Sequence, residues 1–255
     1  MPATKAMTIS VLMPAFNEGE HIAENLLVTQ AVLEGLPNPW EIILINDGSQ
    51  DNTYSEAFRI SRKWPGIKVI DLPENQGKGH ALKRGFQEVR GDVVVFLDAD
   101  LELPPHQLEN FLRPLEAGKA EVIIGSKSHP LSQGYYPKGR KVISWIYARI
   151  LWLFFHLPIR DTQSGFKVFK REVLDRIFPN ILCKRFAYDI EILMNAHRLG
   201  YTILEIPISV DYSRPKQWGR IGLRTLFFTG LDTLGIFYRM KFLRYYDRKN
   251  RSKQG

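Results

Sequence analysis

Residues 93–105 read VVVFLDADLELPP, an apolar run that ends in three carboxylates, Asp98, Asp100 and Glu102, and then stops at two prolines. Acids at alternate positions are costly to hold together unless a cation or another positive charge neutralises them. Asp98 and Asp100 have the spacing to hold a divalent cation against a substrate diphosphate, with waters completing its shell. Glu102 is either a third oxygen ligand or a first-turn helix acid. A D-x-D pair alone is also a common solvated turn. Its place decides for a ligand: the run before it has the length and branching of a strand buried on both faces. Open parallel sheets bind ligands just past the carboxyl ends of their strands.

Other chemistry-bearing groups follow similar apolar runs. Asp47, in EIILINDGS, can accept hydrogen bonds from a ribose or a base imide, or can simply form a turn before glycine. The stretch NQGKGHAL at 75–82 has two glycines and a lysine before a helix start, as a phosphate-binding turn does. It matches neither the ATPase nor the dinucleotide fingerprint. Asp189 and Glu191, in FAYDIEIL, are candidate general bases, but two residues apart on a helix they point in different directions. Asp161 is another candidate. Lys127, Arg140 and Lys141 flank a Gly-, Pro- and Tyr-rich loop, where they bind an anionic acceptor or are merely solvated.

The elements that must position these groups follow from periodicity. Strands are predicted over 8–13, 41–45, 67–72 and 93–97, and helices over 18–33, from 51 or 52 towards 64, and over 81–89. This βαβαβαβ rhythm implies a parallel sheet with helices on both faces. Right-handed crossovers then bring the loops 14–18, 47–51, 75–79 and 98–102 to one rim. Beyond it, a strand over 122–125 leads to a basic loop at 126–141. A turn at 161–166 enters a strand at 167–169. A helix over 188–199 precedes a strand over 203–210, interrupted by Pro207.

The chain has 255 residues, 24% of them charged, and a formal net charge of +8. That length suits one large domain or one and a half, and the charge implies an acidic partner. Nucleic acid is disfavoured, because the rim loops are acidic and the basic residues after 213 are interleaved with apolar ones. One cysteine, Cys183, excludes an intrachain disulfide, and no His/Cys metal spacing occurs. The start of the chain lacks the apolar core of a signal peptide. Two segments approach transmembrane length, 142–159 and 221–238, but charges interrupt both.

Taken in order, VLMPAFNEGEHI, EIILINDGSQDNT, NQGKGHALKRGF and VVVFLDADLELPP resemble the inverting family 2 glycosyltransferases of the GT-A fold, a Rossmann-like α/β architecture. GSK, DTQSGFKVFKREV and FAYDIEIL are similar to the polyprenyl-phosphate glucosyl- and mannosyltransferases, DTQSGFK to the glucosyl type. The resemblance implies that Pro14, Phe16, Asn17 and Glu18 border base and ribose, with Asp47, Ser49 and Asp51 beside them. It implies that Gly77, Lys78, Asp98, Ala99 and Asp100 line the nucleotide-sugar site, and that Asp98, Asp100 and Glu102 hold Mg²⁺ or Mn²⁺. Lys127, Arg140, Arg214 and Lys216 would meet the acceptor phosphate. Asp100, Lys127 and Arg140 would act at the reacting centre, joined by Asp189 or Glu191 if a base is needed. The implied partners are UDP-glucose, or alternatively GDP-mannose, a polyprenyl phosphate and the cytoplasmic membrane face, bound peripherally. A saccharide hydroxyl is the alternative acceptor. Because a polyprenyl tail stays in the bilayer, the resemblance implies that 142–157 and 221–238 are interfacial amphipathic helices, with Trp145, Trp152, Phe154 and Phe155 at headgroup depth; ordinary core helices are the alternative. The implied division is a catalytic domain over 1–213, with acceptor loop and interfacial helix within 126–159, and a basic membrane-associating tail over 214–255.

Overall fold

The computed structural model describes residues 6–133, 138–185, 187–211 and 223–247, excepting the side chains of 138–144 and 223–227. Its centre is a seven-stranded sheet of order β3-β2-β1-β4-β6-β5-β7. The strands are β1 (Ile9–Ala15), β2 (Trp40–Asp47), β3 (Ile67–Leu72), β4 (Val93–Phe96), β5 (Val122–Ser126), β6 (Lys167–Lys170) and β7 (Ile203–Pro207). β1 to β4 pair in parallel in the expected rhythm, and β5 pairs in parallel with β7. β6 alone runs against both its neighbours.

Alternate residues of one strand feed opposite cores. Ile42 and Leu44 join one hydrophobic cluster, and Ile43 and Ile45 the other. That is why EIILI reads as an unbroken apolar run. One face is covered by α1 (Ile22–Glu34), α2 (Thr53–Ser61) and α4 (Leu108–Glu116). The other is covered by α3 (Lys78–Phe86), α5 (Lys138–Phe155), α6 (Arg171–Ile177), α7 (Tyr188–Arg198) and α8 (Leu223–Lys241). Each face therefore buries its own helices against a shared sheet.

α1 starts at Ile22 rather than 18, because Glu18 to His21 form a turn in which the Glu18 carbonyl accepts the N–H of His21 and Ile22. α3 starts at Lys78, three residues before the expected position. Gly77, with φ at 98°, makes the break, and the Gly77 carbonyl accepts from His80 and Ala81. Glycine adopts that φ without the steric cost that other residues meet.

Helices α5 and α8 occupy the two apolar segments. They touch through the Tyr147 hydroxyl and Thr233 Oγ1, 2.9 Å apart, and through Phe154 and Phe237, with ring centroids 4.8 Å apart. This corrects the headgroup placement of Phe154 and Phe155. Phe154 packs on Phe237, and Phe155 is buried with Leu151, four residues earlier on the same helical stripe. The tryptophans do face outward, Trp145 61% and Trp152 52% exposed. After α8, Tyr246 returns into the main core at 1% exposure, so residues 223–247 pack with the catalytic domain. Among the described residues, no helix is long and apolar enough to cross a membrane.

Candidate active site

The loops after β1, β2, β3 and β4 converge on one rim and are laced together. The Asn17 N–H donates to Ser49 Oγ (2.9 Å), and the Gln50 N–H donates back to Asn17 Oδ1 (3.0 Å). Asn17 sits at φ 54°, a left-handed conformation that asparagine tolerates better than most residues. The Glu18 N–H donates to Thr53 Oγ1, and that of Gly19 to Asp51 Oδ2 (2.9 Å). Burial pushes the Asp51 carboxyl up, but hydrogen bonds from Thr53 and Gly19 outweigh it and hold the group below its usual range. Asp51 also accepts the Thr53 N–H, so it caps α2 while Asn52 makes no side-chain cap bond. Ser49 and Asp51 thus shape the rim. Phe16 projects from it, 39% exposed, beside Pro14 at the end of β1.

Asp47 works in the same way. It is buried, and its two oxygens accept the N–H groups of Gln76 (3.0 Å) and Gly77 (2.9 Å). The carboxylate fixes the turn that leads into α3. Gly48, at φ 66°, lies where a Cβ would come 2.4 Å from the Glu74 carbonyl carbon, so the two loops meet backbone to backbone.

From the first turn of α3, the Lys78 ammonium reaches Asp98 Oδ1 at 2.5 Å. Burial alone would weaken Lys78 as a base, but the nearby Asp98 and Asp189 carboxylates overcome it and raise its pKa. Asp100 is the opposite case. Burial, then the neighbouring Asp98 charge, pushes its carboxyl up to about 6. Its Oδ1 accepts the Glu102 N–H, and the intervening Ala99 carbonyl accepts from Asn25 Nδ2 (2.7 Å), which pins the DAD turn to α1. Leu101 completes the turn at φ 50°.

The third acid of the trio is engaged elsewhere: Glu102 Oε1 lies 2.6 Å from Lys127 Nζ. Among the described residues, no three His, Cys, Asp or Glu side chains converge to hold a metal. The expected ligand set of Asp98, Asp100 and Glu102 is therefore not assembled as a cage by the protein alone. Asp98 faces Lys78 and Glu102 faces Lys127, which leaves Asp100 as the acid whose environment most favours an arriving cation. An all-oxygen set of this kind suits hard cations such as Mg²⁺ or Mn²⁺.

β6 brings the DTQSGF segment to the same rim, because its reversed direction sets its start beside the end of β4. Asp161 Oδ2 accepts the Lys127 N–H (2.9 Å) and its own N–H goes to Glu205 (3.0 Å), so it acts as a brace. A Cβ on Gly165 would lie 2.1 Å from Asp98 Oδ2. Gly165→Ala is therefore expected to displace Asp98 from Lys78 and to cost about 1–3 kcal/mol of stability, the scale of overpacking. In an Asp98→Ala background the loss should shrink, and denaturant titration of the four proteins measures the coupling.

Asp189 and Glu191 do not reach the rim as free bases. Asp189 is buried with its Oδ1 at 2.5 Å from Lys167 Nζ, which also donates to the Ser164 carbonyl. Burial pushes the Asp189 carboxyl up, and Lys167 and Lys78 only partly counter it. Glu191 is fully buried and accepts from Leu182, Cys183, Arg239 and Tyr246. Lys167 and Gly165 were not singled out by sequence reasoning, although DTQSGFK contains both. Arg140 stands in the first turn of α5 with its side chain outside the described residues, and Arg214 and Lys216 lie outside them altogether.

An acidic turn beside a lysine-bearing phosphate-type turn, at the carboxyl edge of a mostly parallel sheet, is the geometry for binding a diphosphate. The comparisons with known proteins point the same way. Over 91% of this chain and 79% of its own, glucosyl-3-phosphoglycerate synthase from Mycobacterium tuberculosis, solved with Mn²⁺, UDP and glucosyl-3-phosphoglycerate, superposes with a TM-score of 0.67. At 23% identity, that likeness concerns the fold. A dolichyl-phosphate beta-glucosyltransferase of Trichomonas vaginalis is 31% identical over 95% of this chain and 77% of its own. The Drosophila melanogaster dolichyl-phosphate beta-glucosyltransferase is 34% identical over 80% of this chain and 67% of its own. Residues 10–178, which hold β2 to β6, all of β1 but Ile9, and the whole described rim up to Gly165, match the profile of Glycosyl transferase family 2, and the chain belongs to that family.

Proposed function

We propose that this chain transfers glucose from UDP-glucose to a polyprenyl phosphate of the dolichyl type, with inversion, while docked on a membrane surface. The names of its relatives support the sugar and the acceptor. The observation that carries the membrane part is the pair α5 and α8, whose outer faces hold exposed Trp145, Trp152, Leu153, Leu234 and Tyr238, with exposed Phe242 just past the end of α8. Exposed aromatic and aliphatic side chains on adjacent helices are suited to the headgroup boundary. The basic residues of the 214–255 tail would add attraction to anionic lipid. We place this docking at the cytoplasmic face.

In this reading, Phe16, Asn17 and Glu18 border the base and ribose, and Asp47 sets the turn on which the nucleotide rests. A phosphate oxygen of the acceptor attacks the anomeric carbon on the face opposite the diphosphate. The carbon–oxygen bond to UDP breaks, and UDP leaves with the bonding pair. The acceptor phosphate is already anionic near neutral pH, so the step needs no carboxylate base. The burial and pairing of Asp189 and Glu191 fit that, and weigh against a hydroxyl acceptor. Lys127 orients the acceptor phosphate, and by the family resemblance Arg140, Arg214 and Lys216 would assist it. Lys78 meets the donor diphosphate. Asp100, with help from Asp98 and Glu102, is the group to hold Mg²⁺ or Mn²⁺, which when bound neutralises the leaving diphosphate.

The test is transfer of radiolabel into the organic phase from UDP-glucose or GDP-mannose, with Mn²⁺, polyprenyl phosphate and detergent. Label should move from UDP-glucose only, and disappear in EDTA and in Asp100→Ala. Label from GDP-mannose instead would change the sugar. No label from either donor, with the protein folded, would overturn the lipid-phosphate acceptor.

A further inference from the structure

Glu191 is a carboxylate at 0% exposure that lies behind the rim rather than on it. Its Oε2 accepts the N–H groups of Leu182 (3.0 Å) and Cys183 (2.7 Å). Its Oε1 accepts from the Tyr246 hydroxyl and from Arg239 Nη2 (3.3 Å), and Arg239 Nε also donates to the Tyr246 oxygen (3.2 Å). A buried charge kept in such a site by four donors is expensive to assemble, and removing one donor is correspondingly costly.

The segment that Glu191 holds does not end there. Two residues on from Leu182, the Lys184 carbonyl accepts the His80 N–H (3.1 Å) in the first turn of α3. A Cβ on Gly77 would come 2.8 Å from that carbonyl oxygen, and one on Gly79 would come 2.9 Å from it. Lys83 Nζ donates to the Ile181 carbonyl (2.9 Å), and Lys184 Nζ reaches Gln76 Oε1 at 3.4 Å. The segment 181–185 is thus clamped between Glu191 on one side and the turn Gln76–His80 on the other. From the rim side, Asp47 holds the same turn through the Gln76 and Gly77 N–H groups.

We infer that Glu191 is a positioning residue for the donor-binding turn Gln76–His80, acting through 181–185, and that Arg239, near the C-terminal end of α8, and Tyr246, beyond that helix, hold it in place. Glu191 touches no substrate in this arrangement. Its effect is to fix the height of the Gly77 backbone and the start of α3, on which Lys78 is mounted. Residues near the end of the described chain then contribute to donor affinity from the far side of α7. The inference rests on the reading of the rim as a nucleotide-sugar site, and its test is chosen so that the two can fail separately.

Tyr246→Phe removes one hydroxyl and leaves the ring in the core, and Glu191→Gln keeps the shape and removes the charge. Leu33→Ala, a core truncation on α1 on the opposite face of the sheet, serves as the control for general destabilisation. Hydrogen exchange of the full chain reads the turn directly. Both clamp variants should speed exchange at the Gly77 and His80 amides, and the control should not. Calorimetric titration with UDP-glucose should show binding weakened about tenfold in Tyr246→Phe, the scale of one hydrogen bond to a charged group. KM for the donor should rise more than kcat falls, and Leu33→Ala should leave KM unchanged. Unaltered exchange at Gly77 and His80 in both clamp variants would overturn the inference, as would unaltered donor affinity in a wild type that binds UDP-glucose. If the wild type binds neither UDP-glucose nor GDP-mannose while exchange responds as expected, the functional reading falls and the mechanical connection stands.

Discussion

Lys167→Met is expected to destabilise the fold by about 3–5 kcal/mol, the cost of stranding one member of a buried ion pair. Lys167 and Asp189 are both almost wholly buried and lie 2.5 Å apart. Methionine fills the lysine's volume with an unbranched apolar chain, so the loss reflects charge rather than a cavity. Among the described residues, Lys78 then remains as a cation beside Asp189, whose carboxyl rises further above 3.8. A raised carboxylate pKa makes the protonated form the one that suits the fold. The favourable share is complete below the unfolded pKa and is lost as pH rises through the folded one. The deficit of the variant should therefore be largest at neutral pH and shrink towards pH 4. Lys167→Met with Asp189→Leu should recover most of it, since an apolar pair often replaces a buried ion pair without loss. Urea denaturation of the three proteins at two pH values measures this. A double variant no better than Lys167→Met would show that packing, not the stranded charge, carries the effect.

Asp100→Asn is expected to stabilise the metal-free protein while abolishing transfer. The Asp100 carboxyl titrates at about 6 in the fold against 3.8 when exposed. By the same linkage, its ionised form at pH 7.5 costs the fold up to about 3 kcal/mol, and the cost vanishes below pH 4. Asparagine keeps an oxygen for the Glu102 N–H and carries no charge against Asp98. In EDTA, Asp100→Asn should unfold at higher urea than the wild type at pH 7.5 and at equal urea near pH 4. Transfer activity should fall by a factor of about 10² or more, since the carboxylate proposed to hold the divalent cation is gone. Equal stability of the two proteins at pH 7.5 would mean that the acidic turn is not strained by its own charge. Proteins commonly give up stability at a functional site in this way.

The strands of the first half were legible because each is an apolar run bounded by turn residues. Ile67–Leu72 appears with the expected ends, and EIILI grows only to Trp40–Asp47. The convergence of four loops followed from topology alone. The reversed direction of β6 was not legible, because KVF reads identically from either end of a ladder. The roles of Asp189 and Glu191 were also hidden. Their partners, Lys167 and Tyr246, stand 22 and 55 positions away. Nothing in a local pattern distinguishes a carboxylate aimed at solvent from one aimed at a distant buried donor. Asp47, Ser49 and Asp51 were found as rim residues, but their hydrogen bonds to neighbouring loops appear only once the chain is folded.

The lone reversed strand also sets how long one edge of the sheet stays open while the chain is made. β3, β2, β1 and β4 are complete once Phe96 has been synthesised, and they can pair among themselves. The open side of β4, however, is closed only by Lys167–Lys170. Roughly 70 residues must emerge in between, on the order of 4–15 s at ribosomal rates. Throughout that interval the nascent chain presents an unpaired edge whose side chains, Val93 to Phe96, are among the most apolar in the protein. Such an edge is a template for pairing with other chains. The period of greatest risk for this protein thus falls during its synthesis.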